Sequence, residues 1–342
     1  MRKVYIHLGT HKTGTTAIQK LLANSEVELR AGGVLYPRAG RGGLTPENHH
    51  ILALALRDGN NAVGESVLAE IEKAECPTVV ISSEMLMEFD SREGLADLFS
   101  DFEVRIVMFV RRQDYRAESS YSQEIKDWTR FCGLPREHYA CRGYSRFLDY
   151  DFHLHRYSVV FGERSITVVV HESTQHRSAI FRDFFRVLGV GWSDGFLTRV
   201  GKHENERLGR DCLEFKRLAN ALTLAPDIDR ELAHCLTQVS INTQLGRESV
   251  LPPAYRSGIL QAYSDSNNAV AERLLGRKEL FTEAPPDPDS PWEPYGGLSA
   301  ERFAFHLHAI EEEGFDRKEL GRIARGIDLE RSAKDWANAW TE

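Results

Sequence analysis

Residues 4–22 read V-Y-I-H-L-G-T-H-K-T-G-T-T-A-I-Q-K-L-L, a stretch that changes character twice. Val4 to Leu8 is a short apolar run with β-branched residues, suited to a buried strand. Gly9 to Gly14 is a tight turn of Gly and Thr, and from Thr16 the spacing turns helical, with Ile18, Leu21 and Leu22 on one side. Strand, glycine turn and helix in that order make a site for an anion. Glycines let the backbone approach a phosphate, and the helix offers free N–H groups and the positive end of its dipole.

The turn resembles the nucleotide-binding loop G-x-x-x-x-G-K-[ST], with one departure. Gly9 and Gly14 have the right separation and Thr16 stands where Ser or Thr belongs, but Thr15 follows the second glycine. The lysine is Lys12, two places ahead of Gly14. In a nucleoside triphosphatase the lysine reaches the β- and γ-phosphates and the next hydroxyl holds Mg²⁺. Here the ammonium comes from the turn itself, and no metal is expected.

The rest of the sequence sets the class around this loop. The 342 residues are 42% hydrophobic and 27% charged, as in an ordinary globular protein with material for a sizeable core. Lys and Arg number 43 against 51 Asp and Glu, a net charge of −8. Nucleic acid and heparin-type glycans call for a basic surface and are disfavoured as partners; a small anionic cofactor held by local groups is not. The first strand begins almost at the N-terminus, leaving no room for a signal peptide, and no apolar stretch is long enough for stable membrane insertion. Cys76, Cys132, Cys141, Cys212 and Cys235 are odd in number, widely spread and without a C-x-x-C pair, which fits free thiols in a cytoplasmic protein.

Three further apolar runs, Thr78–Ser82, Val104–Val110 and Ser165–Val170, alternate with helical patterns, and Val34–Tyr36 adds a very short strand. The expectation is an α/β fold with a mainly parallel sheet covered by helices on both faces. Ligands of such sheets lie beyond the carboxyl ends of the strands, where Gly9–Thr16, Glu84, Arg111 and Glu172 fall. Gly32 to Thr45 reads as a mobile loop near a substrate, and Asn48 as the cap of a helix carrying His49 and His50. An irregular stretch from 129 to Tyr144 mixes aromatic and basic residues and either lines an acceptor pocket or covers the sheet. Helices are expected over 63–74, 114–128, 175–188, 206–222, 229–244 and 254–275. Residues 283–297 hold five prolines and read as a linker, so the expected division is an α/β domain over 1–282, the linker, and a small helical appendage over 298–342. The appendage, with helix starts at Ser299, Asp316 and Asp328, docks back or joins a second copy in a homodimer.

The string H-K-T-G-T-T resembles the 5′-phosphosulfate loop of the PAPS-dependent sulfotransferases, usually K-[ST]-G-[ST]-[ST] after the first strand. The stretch closing the third long strand, V-R-R-Q-D-Y-R-A-E-S-S-Y, resembles their 3′-phosphate site, often R-x-P-x-x-R-A-x-S-x-Y. Arg111, Arg116, Ala117, Ser119 and Tyr121 match in register, while Gln113 replaces the proline. An arginine fork with a hydroxyl makes a monophosphate cradle. Residues 3–125 carry the resemblance most strongly, and Y-S-D-S-N-N and K-E-L-F (263–281) look like the tail of bacterial sulfotransferase-domain proteins.

The resemblance implies a P-loop-type sulfotransferase fold, PAPS as donor, and transfer of its sulfuryl group to a hydroxyl or amine acceptor, a carbohydrate, glycolipid or other small hydroxyl compound, by in-line displacement. It assigns Thr10, His11, Lys12, Thr13, Gly14, Thr15, Thr16, Arg111 and Ser119 to the cofactor. Lys12 is the catalytic cation at the bridging oxygen and Glu84 the candidate general base, with His49 or His50 in reserve and Glu172 and Asp114 as weaker choices. The alternatives are a P-loop kinase or NTPase, which would need a lysine after Gly14 and a metal-binding Asp, and a non-catalytic nucleotide-binding relative.

Overall fold

A computed structural model describes residues 1–9, 14–43, 45–127, 130–141, 144–172, 178–192, 195–196, 207–246 and 248–340, with the backbone alone at 140, 141, 144 and 145. Thr10, His11, Lys12 and Thr13 therefore lie outside the described residues. The chain divides into two compact units. The first takes Met1–Gln113, Ser145–Lys202 and Ala262–Ala284; the second takes Asp114–Tyr144, His203–Gln261 and Pro285–Glu342.

The first unit is built on five parallel strands, β1 (Lys3–Leu8), β2 (Val34–Leu35), β3 (Thr78–Ser82), β4 (Glu103–Arg111) and β5 (Ile166–His171), in the order β2-β3-β1-β4-β5. This is the expected α/β class. The two-residue side-chain period explains how one sheet buries both faces. Val4, Ile6 and Leu8 enter one core with Ile81 and Met108, closed by Leu52 of the helix His50–Arg57, Ile71 of Asn61–Ala74 and Leu154 of Tyr150–Phe161. Tyr5, Val80, Val107 and Phe109 enter the other core, closed by Ile18 and Leu22 of the helix Thr15–Asn24 and by Phe181 and Phe185 of Ala179–Leu188. Full burial of one such side chain is worth roughly 1.5–3 kcal/mol.

The sheet order places β1 where the connections change direction. From β1 the chain goes to one side for β2 and β3, then returns across it to β4 and β5 on the other. Such a switch point opens a crevice at the carboxyl ends of the strands. The glycine turn leaves from there.

Several local expectations are corrected. Asn48 is not the cap of the helix His50–Arg57: the cap position is His49, without a side-chain hydrogen bond. The glycine-rich loop is fastened rather than loose, with Arg38 and Ala39 amides donating to Glu70 (both 2.8 Å) and the Tyr36 hydroxyl to the Glu47 carbonyl (2.6 Å). The single helix expected over 254–275 is two, Pro253–Ala262 and Ser264–Leu275, parted at Tyr263, whose ψ of 13° is not helical. The irregular stretch before Tyr144 contains the helix Pro135–Cys141.

The second unit is helical in its described residues and has its own core. Leu213 and Phe215 of the helix Arg210–Asn220 and Leu236 of Pro226–Thr243 share it with Ile310, Leu320 and Trp336 from the last three helices, Ala300–Glu312, Arg317–Gly326 and Leu329–Asn338. This division differs from the expected one, because residues 298–342 group with 203–261. The fully buried Glu214 carboxylate accounts for much of the tie, accepting from Arg217 Nε (2.8 Å), Ser332 Oγ (2.6 Å) and Trp336 Nε1 (2.8 Å). The proline-rich stretch is not slack either: Trp292 Nε1 donates to the Ser249 carbonyl (3.2 Å) and the Tyr295 hydroxyl to Asp211 (2.8 Å). Ser299, Asp316 and Asp328 cap their helices as the sequence indicates. Among the described residues no helix is long and apolar enough to cross a membrane.

Candidate functional site

Both glycines of the turn are fixed by what surrounds them. Gly14 is the cap residue of the helix Thr15–Asn24 with φ of 84°, in the left-handed region that side chains disfavour. A Cβ there would lie 2.4 Å from Ile180 Cδ1. At Gly9 a Cβ would lie 2.3 Å from the Thr15 methyl and 3.0 Å from Glu84 Cγ. Gly9 is thus pressed between Thr15, which is buried over it, and Glu84, which follows β3. Thr16 is half-buried in the first helical turn. Gly14 offers no side-chain acceptor to the amides of that turn, and the positive end of the helix dipole lies there.

Glu84 follows β3 and opens the short helix Met85–Glu88, but its side chain makes no cap hydrogen bond there. Ser83 does that work, its Oγ accepting from the Met85 amide at 3.2 Å. Glu84 turns instead toward the helix after the glycine turn, where its Oε2 accepts from Gln19 Nε2 at 3.1 Å. The same Gln19 nitrogen donates to Ser82 Oγ at 3.1 Å, and Ser82 Oγ lies 2.8 Å from His7 Nδ1. His7 is enclosed between the rings of Phe109 and Phe184. Burial drives its pKa down to about 3, so its imidazole is neutral at pH 7.

His49 is placed as a brace, which corrects its assignment as a reserve base. The Ser82 amide donates to His49 Nδ1 at 3.2 Å, so the ring proton is on Nε2 and is donated to the Pro37 carbonyl at 3.0 Å. The ring is wholly buried, and burial, aided by the positive charge of Arg41, lowers its pKa to about 3. A lone pair engaged by a backbone amide cannot take a substrate proton. His50 is nearer the edge: Asn48 Nδ2 donates to its Nε2 (2.9 Å), and its Nδ1 donates to Ser83 Oγ (2.7 Å).

At the end of β4 the adjacent arginines separate. Arg112 is buried and donates to the Ala284 carbonyl at 2.7 Å, with Glu283 as an ion-pair partner at 3.7 Å. Arg111 is half-buried, and its backbone amide and carbonyl both bond the Tyr150 hydroxyl. Arg111 belongs to the first unit and Ser119, half-buried on the helix Gln113–Lys126, to the second. Of the weaker base candidates, Asp114 is fully buried against Arg256 (2.6 Å), and Glu172 Oε1 is held by the amide (2.7 Å) and hydroxyl (3.0 Å) of Thr282. Among the described residues no three His, Cys, Asp or Glu side chains gather as a metal site.

No protein-family model matches the sequence, and no curated protein matches it. A solved structure does: a sulfotransferase from Alicyclobacillus acidocaldarius, 16% identical, with a TM-score of 0.40 over 70% of this chain and 96% of that one.

Gln19 is the site residue that motif reading passes over, although the sequence carries a signal for it. The buried positions of its helix include 15, 18, 19 and 22, the i, i+3, i+4, i+7 stripe of a core-facing helix. An amide in that stripe is a buried polar group that must find partners. Gln113 is a second case. Fully buried, it pairs with Asn267, the asparagine near the start of the helix Ser264–Leu275.

Proposed function

We propose that this chain is a PAPS-dependent sulfotransferase acting on a hydroxyl, or an amine, of a carbohydrate or other small acceptor. The observation that carries the reading is the meeting of Glu84 with Gly9: the Glu84 side chain, just past β3, packs its Cγ against Gly9, and the helix after β1 starts on a left-handed glycine. A base beside an anion-binding turn is what transfer from an anionic donor needs, and the phosphosulfate-loop string stands at that turn. The donor chemistry fits the residues present, since a helix N-terminus set on a glycine and the Thr16 hydroxyl suit a phosphosulfate and Arg111 suits a terminal phosphate.

PAPS would supply a sulfuryl group activated as a mixed anhydride with phosphate. Glu84 takes the acceptor proton as the acceptor oxygen bonds to sulfur. Lys12 holds the charge that gathers on the bridging oxygen as the old S–O bond breaks and adenosine 3′,5′-bisphosphate departs, an interaction stronger in the transition state than before it. The protein would act in the cytoplasm, where the donor is made available to it.

Calorimetry tests the reading. Binding of adenosine 3′,5′-bisphosphate without Mg²⁺ supports it; tight binding of Mg·ATP in its place overturns it in favour of a kinase. Lys12→Ala should abolish transfer from ³⁵S-labelled PAPS across a panel of sugars and aryl alcohols. Glu84→Gln should lower turnover roughly 100-fold or more while nucleotide affinity holds.

A further inference from the structure

We infer that Gln19 is the positioning residue for Glu84, holding the general base against the glycine turn; the inference rests on the sulfotransferase reading above. The chemistry of the contacts fixes the orientation of the amide. A carboxylate offers only acceptors, so the group facing Glu84 Oε2 at 3.1 Å must be the NH₂ end, and its other hydrogen goes to Ser82 Oγ at 3.1 Å. Both hydrogens of one nitrogen are therefore spent on the two residues that flank the end of β3. No second hydrogen bond to the Glu84 carboxylate occurs among the described residues.

Gln19 cannot swing away from this arrangement without loss. It is 1% exposed, inside the apolar stripe of its helix between Ile18 and Leu22, so an unpaired amide there would be stranded from water. Its helix is the one that begins on the glycine turn, and the carboxylate comes from β3, hydrogen-bonded to β1 in register from Lys3↔Thr78 to His7↔Ser82. Gln19 thus joins the anion-binding helix directly to the strand that carries the base. One residue sets the distance between the two halves of the reaction, and it does so without touching the acceptor or the donor. Ser82 is the other end of the brace: by accepting from Gln19 it leaves its own hydrogen available to His7 Nδ1, 2.8 Å away.

A double-mutant cycle tests this on the full chain, reading transfer from ³⁵S-labelled PAPS to the best acceptor of a sugar and aryl-alcohol panel, with nucleotide affinity measured separately. Gln19→Met keeps the volume and removes both donors. It should slow turnover between roughly 10- and 100-fold with the affinity for adenosine 3′,5′-bisphosphate unchanged, because a displaced base costs rate and not binding. In the Glu84→Gln background the same change should cost little more, since a residue acting through Glu84 has nothing left to position. Should Gln19→Met fold poorly, Gln19→Asn, one methylene too short to reach both partners, takes its place in the cycle. Normal turnover in these single variants, or full additivity with Glu84→Gln, would overturn the inference while leaving the transferase reading intact. Failure of the unmodified protein to bind the bisphosphate would remove both.

Discussion

The side-chain amides of Gln113 and Asn267 donate to each other, Gln113 Nε2 to Asn267 Oδ1 at 2.6 Å and Asn267 Nδ2 to Gln113 Oε1 at 3.1 Å, across 154 residues of sequence. Gln113 stands where the 3′-phosphate pattern commonly has proline, which could make neither bond. The departure thus has a physical content: it fastens the residue after the Arg111–Arg112 pair to the helix Ser264–Leu275.

The first prediction concerns that pair. Asn267→Leu leaves the fully buried Gln113 amide with only its 3.4 Å bond to the Leu148 carbonyl and its Oε1 without the Asn267 donor, and should destabilise the fold by about 1–3 kcal/mol. Adding Gln113→Leu removes the under-satisfied amide and should recover much of the loss. Thermal denaturation of the two variants checks it; a double variant worse than the single one by the same increment again would refute it.

The second concerns Gly14→Ala. The left-handed backbone alone costs a side chain roughly 1–2 kcal/mol, and the new methyl would press on Ile180 Cδ1 at 2.4 Å. The variant should lose at least that stability. Ile180→Ala in the same chain should relieve the clash and not the strain, so the midpoint should recover only in part.

The third separates two neighbours that look alike in sequence. Arg112→Ala removes a buried cation from the Ala284 carbonyl and should lower stability by about 1.5–3 kcal/mol. On the proposed function, Arg111→Ala should weaken adenosine 3′,5′-bisphosphate binding about tenfold or more, as loss of a charged phosphate contact does. Calorimetry and thermal melts on the same two preparations decide; the reverse pattern would move the phosphate contact to Arg112.

The fourth is a pH dependence. His7 and His49 both have folded pKa values depressed to about 3 by burial, against an ordinary value near 6.5. Between these limits the unfolded chain binds protons that the folded one refuses. The stability they allow is complete above about pH 6.5 and is lost as pH falls toward 3, at roughly 1.4 kcal/mol per pH unit for each histidine. Denaturation midpoints between pH 7 and 4 measure the slope, and His49→Gln should make it shallower. A flat profile from pH 7 to 5 would show that neither ring is buried neutral.

Sequence reading succeeded where the physics is local. The strand Thr78–Ser82 and the capped starts at Ser299, Asp316 and Asp328 are where the pattern puts them, because period and capping chemistry are written in adjacent residues. The helix Tyr150–Phe161 was not legible. Its buried Tyr150, Leu154 and Tyr157 have helical spacing, but aromatic and β-branched neighbours blur it, and only packing against the sheet settles the matter. For the proposed site, the strand ends point to Glu84. The contacts of His49, Arg112 and Gln19 depend on partners far along the chain, and no spacing rule reports such partners.

The interleaved segments of the first unit bear on how the protein is made. Its sheet core takes Tyr150 and Leu154 from the middle segment and Val270 and Leu280 from the last. On the ribosome, β1 to β4 emerge early, yet the face they share stays open until Leu280 has left the exit tunnel, long after the first helices of the other unit have appeared. Emergence of Leu280, rather than of an N-terminal piece, is then the moment when this sheet first becomes resistant to protease.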